Sequence, residues 1–143
     1  MRMMDVNVLV YAYREDAPNH KRYRNWLEDV VAGPEAFALS ELVLSGFLRV
    51  VTHPKVFQPP SPVAHAMEFL DVLRGAANAV LVHPGPRHWD IFAGLCRKSG
   101  CKGNTVPDAY FAALAIESGS EWVTADRGFA RFAKLRWGHP FDL

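Results

Sequence analysis

Apolar residues along this chain recur in two rhythms. Short apolar runs at Met3 to Asp5, Ala36 to Leu39, Ala79 to Val82 and Glu121 to Thr124 predict strands buried in a core. Between them the apolar positions fall at helical spacing. From about His20 to Ala32 the residues Tyr23, Trp26, Leu27, Val30 and Val31 make one face, and Gly33-Pro34 stops the helix. Ser40 is placed to cap an apolar helix that ends before His53-Pro54. Pro62 to about Ala77 reads as an amphipathic helix with Pro at its first position, preceded by a surface loop at Gln58 to Pro62. Pro86 to Ser99 reads as a helix closed by Gly100, and Pro107 to Ser118 as one capped by Asn104 or Thr105 and closed by Gly119. Gly128 to Lys134 predicts a last helical turn or two. Val6 to Tyr13 fits either a continued strand or a helix. Short strands alternating with helices predict an α/β fold: a mostly parallel sheet with helices on both faces.

Composition narrows this to one domain over residues 1–143. The chain is 50% hydrophobic and 22% charged, a globular and ordered balance. No repeat or linker interrupts it. The uncharged runs are too short to span a bilayer and no leader is visible, so the expected place is the cytoplasm, without a membrane partner. Cys96 and Cys101 lack further cysteine or histidine partners at zinc-ligand spacing and read as two reduced thiols. A net charge of +1, from 16 Lys+Arg against 15 Asp+Glu, is low for a nucleic-acid binder. That total misleads if several acids serve one site, because the remaining surface is then basic.

Four acids fit that case: Asp5, Glu41, Asp108 and Asp126. Asp5, Glu41 and Asp126 each follow a predicted strand, and Asp108 opens a helix that is apolar nearly all round. Each has an ordinary explanation. Glu41 and Asp108 gain roughly 0.3–1 kcal/mol in a helix first turn, and Asp5 and Asp126 suit turns. In a parallel sheet, however, residues just beyond the strand ends share one edge, where ligands bind. Two carboxylates about 4 Å apart repel by roughly 4 kcal/mol at an effective dielectric near 20. A divalent cation relieves that repulsion, and Mg²⁺ takes one or two carboxylates together with phosphate oxygens.

The four acids sit in motifs whose order resembles that of the PIN-domain nucleases. Asp5-Val6-Asn7-Val8-Leu9 is similar to their opening motif, and Ser40-Glu41 before an apolar helix to their second. Gly103-Asn104-Thr105-Val106-Pro107-Asp108-Ala109 resembles the third, and Val123-Thr124-Ala125-Asp126-Arg127-Gly128-Phe129 the fourth. Each motif is weak alone; the ordered set spans essentially the whole chain. In length the chain is similar to the VapC toxins of type II toxin–antitoxin pairs. The resemblance implies a three-layer α/β/α PIN-like domain and endoribonuclease activity dependent on Mg²⁺ or Mn²⁺, with a metal-activated water cutting RNA. It also implies a VapB-like antitoxin as partner, and a turn at Asp5 into a short helix through Tyr11.

On this reading Asp5 and Asp108 hold the metal most directly, while Glu41 and Asp126 complete the cluster directly or through water. Asn7, Ser40, Asn104 and Thr124 are uncharged and are placed to orient the carboxylates by hydrogen bonds. Arg127, beside Asp126, is the first choice for an RNA phosphate, ahead of Arg14, Lys21, Arg22, Arg24, Arg97, Lys98, Lys102 and Arg131. The apolar segments Leu42 to Val51 and Val63 to Leu73 supply core, with any excess available to a homodimer or an antitoxin helix. Trp137, near the C-terminus, is the tryptophan expected to be most exposed. Two alternatives stay open: a non-catalytic RNA- or partner-binding module of the same fold, and a haloacid dehalogenase-like phosphatase. The second expects Asp-x-Asp, and position 7 is Asn.

Overall fold

A computed structural model describes residues 1–143. Five strands form one sheet: β1 (Arg2–Met4), β2 (Phe37–Leu39), β3 (Ala79–Leu81), β4 (Glu121–Val123) and β5 (Trp137–Gly138). Their order is β3-β2-β1-β4-β5, and every pairing is parallel. Six helices connect and cover them: α1 (Val6–Tyr13), α2 (His20–Ala32), α3 (Glu41–Val51), α4 (Val63–Arg74), α5 (His88–Ser99) and α6 (Thr105–Ser118). This is the α/β build with a parallel sheet that the alternation of strand and helix predicts.

Strands this short are stable only with both faces covered, and the central ones are. Met3, Phe37, Ala38, Trp122 and Val123 are fully buried. Val8 and Leu9 of α1, Phe47 and Val51 of α3, and Ala112 to Leu114 of α6 complete the same core. Helix α6 is buried through its middle because its apolar residues there are small, with Ala109, Ala112, Ala113 and Ala115 allowing close approach to the sheet. Gly100 (φ 59°) and Gly119 (φ 67°) end α5 and α6 in the left-handed conformation that glycine adopts without strain.

The ambiguous Val6 to Tyr13 segment is helical. Asp5 caps it through a hydrogen bond from Val6 N to Asp5 Oδ1 at 2.6 Å, which turns the chain out of the sheet at once. Other boundaries move for local reasons. Helix α4 starts at Val63, with Pro62 in the capping position. Helix α5 starts at His88 and not Pro86, because Glu117 holds the preceding loop: its carboxylate accepts from Gly85 N at 2.6 Å and Arg87 N at 2.9 Å. Helix α6 starts at Thr105, so Pro107 falls in its first turn, where a missing N–H costs nothing. Gly128 to Lys134 is not an α-helix. Asp126 Oδ1 accepts from Gly128 N, and Arg127–Arg131 winds as a tight 3-10 turn.

Strand β5 is unpredicted, since two residues carry no periodicity. It fixes Trp137, which is half-buried rather than exposed; Trp89 on α5 is the exposed tryptophan, at 67%. On α3 and α4 the inward faces join the core as expected, leaving Leu42, Val63, Met67 and Val72 exposed. Cys96 and Cys101 are free thiols.

Candidate active site

Strand order decides what meets what. From β1 the chain steps outward through β2 to β3, then returns across the sheet to β4 and β5 on the other side of β1. The order therefore reverses between β1 and β4, the place where parallel sheets open a crevice beyond their strand ends. The register pairs Met4 with Val123, so Asp5 and Thr124, the next residues of the two strands, come out side by side. Asp5 N still donates to Val123 O at 2.9 Å, which extends the ladder to the edge of the site.

Asp5 is 7% exposed, and three donors hold its carboxylate. Thr124 Oγ1, itself fully buried, donates to Asp5 Oδ2 at 2.6 Å, and Asn7 Nδ2 donates to the same oxygen at 3.1 Å. Val6 N serves Oδ1. Thr124 Oγ1 also accepts from Asp126 N at 3.0 Å and Asn7 Nδ2 at 3.2 Å, while Asn7 Oδ1 accepts from Ala125 N at 3.1 Å. Asn7 and Thr124 thus tie the ends of β1 and β4 together and aim Asp5. Their side chains do this work without adding charge.

Electrostatics links three of the four acids. Burial raises the Asp5 pKa from 3.8 to about 6, against the lowering effect of the Thr124 and Val6 hydrogen bonds; the charges of Asp108 and Asp126 add to the rise. Asp108, half-buried in the first turn of α6, is also raised, by burial first and then by Asp126, with Arg131 opposing. Asp126 is exposed and opens the 3-10 turn. Glu41 stands apart: its carboxylate, 60% exposed at the start of α3, lies 3.8 Å from His83 Nδ1. Ser40 is buried at the cap of α3 without a side-chain capping bond, and Asn104 precedes α6 likewise without one.

Of the two arginines in the 3-10 turn, Arg131 is the one whose charge acts on Asp108. Arg127 pairs with Asp142 at 3.2 Å. Arg131 Nε donates to Gly128 O at 2.9 Å, and a Cβ at Gly128 would meet both Asp126 Oδ1 (2.9 Å) and Arg131 Nη2 (3.0 Å). The tight turn folds Arg131 back over Gly128.

The donor set fits a hard divalent cation: it is all oxygen, from carboxylates whose charges repel one another. No three His, Cys, Asp or Glu side chains gather into a closed metal cage. Mg²⁺ needs only one or two carboxylates and keeps waters and substrate oxygens in its remaining positions.

Residues 2–135 match the PIN domain family. The VapC ribonuclease Mb2897 of Mycobacterium bovis is 45% identical over 142 residues, covering 99% of this chain and 97% of that protein. Ribonuclease VapC25 of Mycobacterium tuberculosis is 38% identical over 140 residues, covering 98% of this chain and 99% of that one. Among solved structures, VapBC2 from Rickettsia felis bound to a DNA fragment from its promoter aligns with a TM-score of 0.69 at 20% identity, over 96% of this chain and 97% of that one. FitAcB from Neisseria gonorrhoeae aligns with a TM-score of 0.70 at 20% identity, over all of both chains. These two likenesses carry the fold alone.

Proposed function

The chain belongs to the PIN domain family, and on that premise we propose that it is a VapC-type toxin: an endoribonuclease that uses Mg²⁺ or Mn²⁺ and is held in check by a VapB-like antitoxin. The relatives that support the activity are named ribonucleases and match nearly end to end. The observation that carries the reading onto these residues is the β1–β4 register, which sets the buried carboxylate of Asp5 at the reversal of strand order, within reach of the charges of Asp108 and Asp126.

Asp5 and Asp108 would hold the ion, with Asp126 beside them. Bound there, Mg²⁺ or Mn²⁺ supplies positive charge opposite the scissile phosphate and lowers the pKa of water. The chain's own residues do the positioning. Thr124 Oγ1 keeps its proton directed at Asp5 Oδ2, Asn7 fixes the same oxygen from a second side, and Arg131 offsets charge next to Asp108. Glu41, at the end of β2 on the other flank of β1, is the acid left free to meet substrate or water. Ser40 and Asn104, placed by sequence to orient carboxylates, make no side-chain hydrogen bond to α3 or α6 and take no part in this positioning.

The exposed side chains Leu42, Val63, Met67 and Val72 offer surface to a partner chain, the antitoxin or a second copy. No helix is long and apolar enough to cross a membrane. We place the protein in the cytoplasm, where its RNA substrate is.

Purified protein, freed of any antitoxin, is expected to cut single-stranded RNA with Mg²⁺ or Mn²⁺ and to stop when EDTA is added. RNA left intact under both metals, or cut equally fast in EDTA, would refute the assignment and favour a non-catalytic binding module.

A further inference from the structure

A groove of about 680 Å³ runs between α5, α6 and the segment after the 3-10 turn, and its charged lining is one-sided. Arg87, Lys98, Arg131 and Lys134 line it against a single acid, Asp90. On a chain whose net charge is +1, that local excess is a basic patch. The four cations come from three parts of the sequence, and only the fold groups them.

Three features make the groove a path rather than a scatter of surface charge. First, Arg131 belongs to both places: it lines the groove, and its guanidinium lies over Gly128 close to Asp126 and opposes the charge of Asp108. The groove therefore starts where the carboxylates end. Second, the floor is bare. Gly94 sits in the middle of α5, where glycine costs roughly 0.5–1 kcal/mol relative to alanine, yet a Cβ there would meet nothing within 4 Å. Packing does not require this glycine; an open floor lets a bulky backbone lie close to the helix. Third, one wall is held in place, because Glu117 fixes Gly85 N and Arg87 N at the head of α5.

Resting on the nuclease reading above, we propose that this groove carries the sugar–phosphate backbone of the RNA away from the cleavage site, with Lys98 and Lys134 contacting phosphates beyond the one that is cut. A polyanion with regularly spaced charges fits a groove with several cations and one acid. Contacts of this kind hold the strand in register and do not read its bases.

Binding of a fluorescent single-stranded RNA, followed by anisotropy in EDTA so that nothing is cut, tests this. Each lost phosphate contact flattens the plot of log Kd against log salt by roughly 0.7, or about fivefold in Kd near 0.1 M salt. The double variant Lys98→Gln/Lys134→Gln is expected to flatten the slope by about 1.4 and weaken binding about 25-fold. The control Lys55→Gln/Arg74→Gln removes the same charge from outside the groove and is expected to bind like the parent. Equal losses in both double variants would reduce the effect to net charge and overturn the groove. An unchanged slope in the first variant, with the parent binding RNA, would overturn the groove and leave the nuclease reading standing. A first variant that keeps RNA but loses a polyglutamate peptide would make the groove a protein-docking site instead. A parent protein that neither binds nor cuts RNA would contradict the nuclease reading itself.

Discussion

Asp5→Asn is expected to cut RNA at least roughly 100-fold more slowly than the parent while resisting urea better at neutral pH. Both effects follow from one fact: a carboxylate is held ionised in a buried position. Its pKa is 3.8 when exposed and about 6 in the folded protein. Between those values the folded state binds the extra proton, so stability falls as pH rises from about 4 to about 6. Above pH 6 the full cost of the charge applies, about 3 kcal/mol for a shift of this size. Asparagine has no such cost. It turns an NH₂ toward one of the donors that now serve the carboxylate, returning about 1–3 kcal/mol of the gain. Urea midpoints measured with EDTA present should therefore show the variant ahead at pH 7 and its advantage shrinking toward pH 4. A constant difference across that range would mean that Asp5 is not the strained acid.

Thr124→Val should do the reverse to stability and the same to activity. Valine matches threonine in shape, so the fully buried site is refilled and the hydroxyl alone is lost. With it goes the 2.6 Å donation to Asp5 and the acceptor for Asp126 N and Asn7 Nδ2. A hydrogen bond to a charged group is worth about 1.5–3 kcal/mol, and this one lowers the Asp5 pKa, so its loss drives that pKa further up. The destabilisation should be largest at pH 7, smaller near pH 4, and smaller again when Asp5 is already Asn, because the two residues then no longer couple. RNA cleavage should fall about 10- to 100-fold through misplacement of Asp5. Equal costs at both pH values and in both backgrounds would reduce Thr124 to a packing residue.

Much of this site can be read from the chain before any coordinates. Asp5, Asp108 and Asp126 stand out because acids at the margins of apolar segments are unusual, and alternation of strand and helix puts such margins on one edge. Asn7 and Thr124 follow as neutral neighbours. What periodicity does not carry is lateral order. Only the β1–β4 register sets Thr124 beside Asp5, and a sheet ordered otherwise would satisfy the same apolar pattern. Arg127 stands out because it adjoins Asp126; that the charge of Arg131 also reaches the acids depends on its own hydrogen bond to Gly128 O, which no hydrophobic rhythm reports. Lys98 and Arg131 can be picked out from the sequence as phosphate contacts, but the grouping of the groove cations cannot. Arg87, Lys98 and Lys134 meet only through the packing of α5 on α6 and the path of the chain after β4.

The central claim is that Asp5 and Asp108 are two ligands of one divalent cation, and calorimetric titration of Mn²⁺ at pH 6 tests it most directly. There Asp5 is about half protonated, so an ion that it binds must displace protons. The account predicts binding whose heat depends on the ionisation enthalpy of the buffer, strengthened by RNA and lost in both Asp5→Asn and Asp108→Asn. Absence of Mn²⁺ binding even with RNA present, or binding that survives both substitutions, would contradict it.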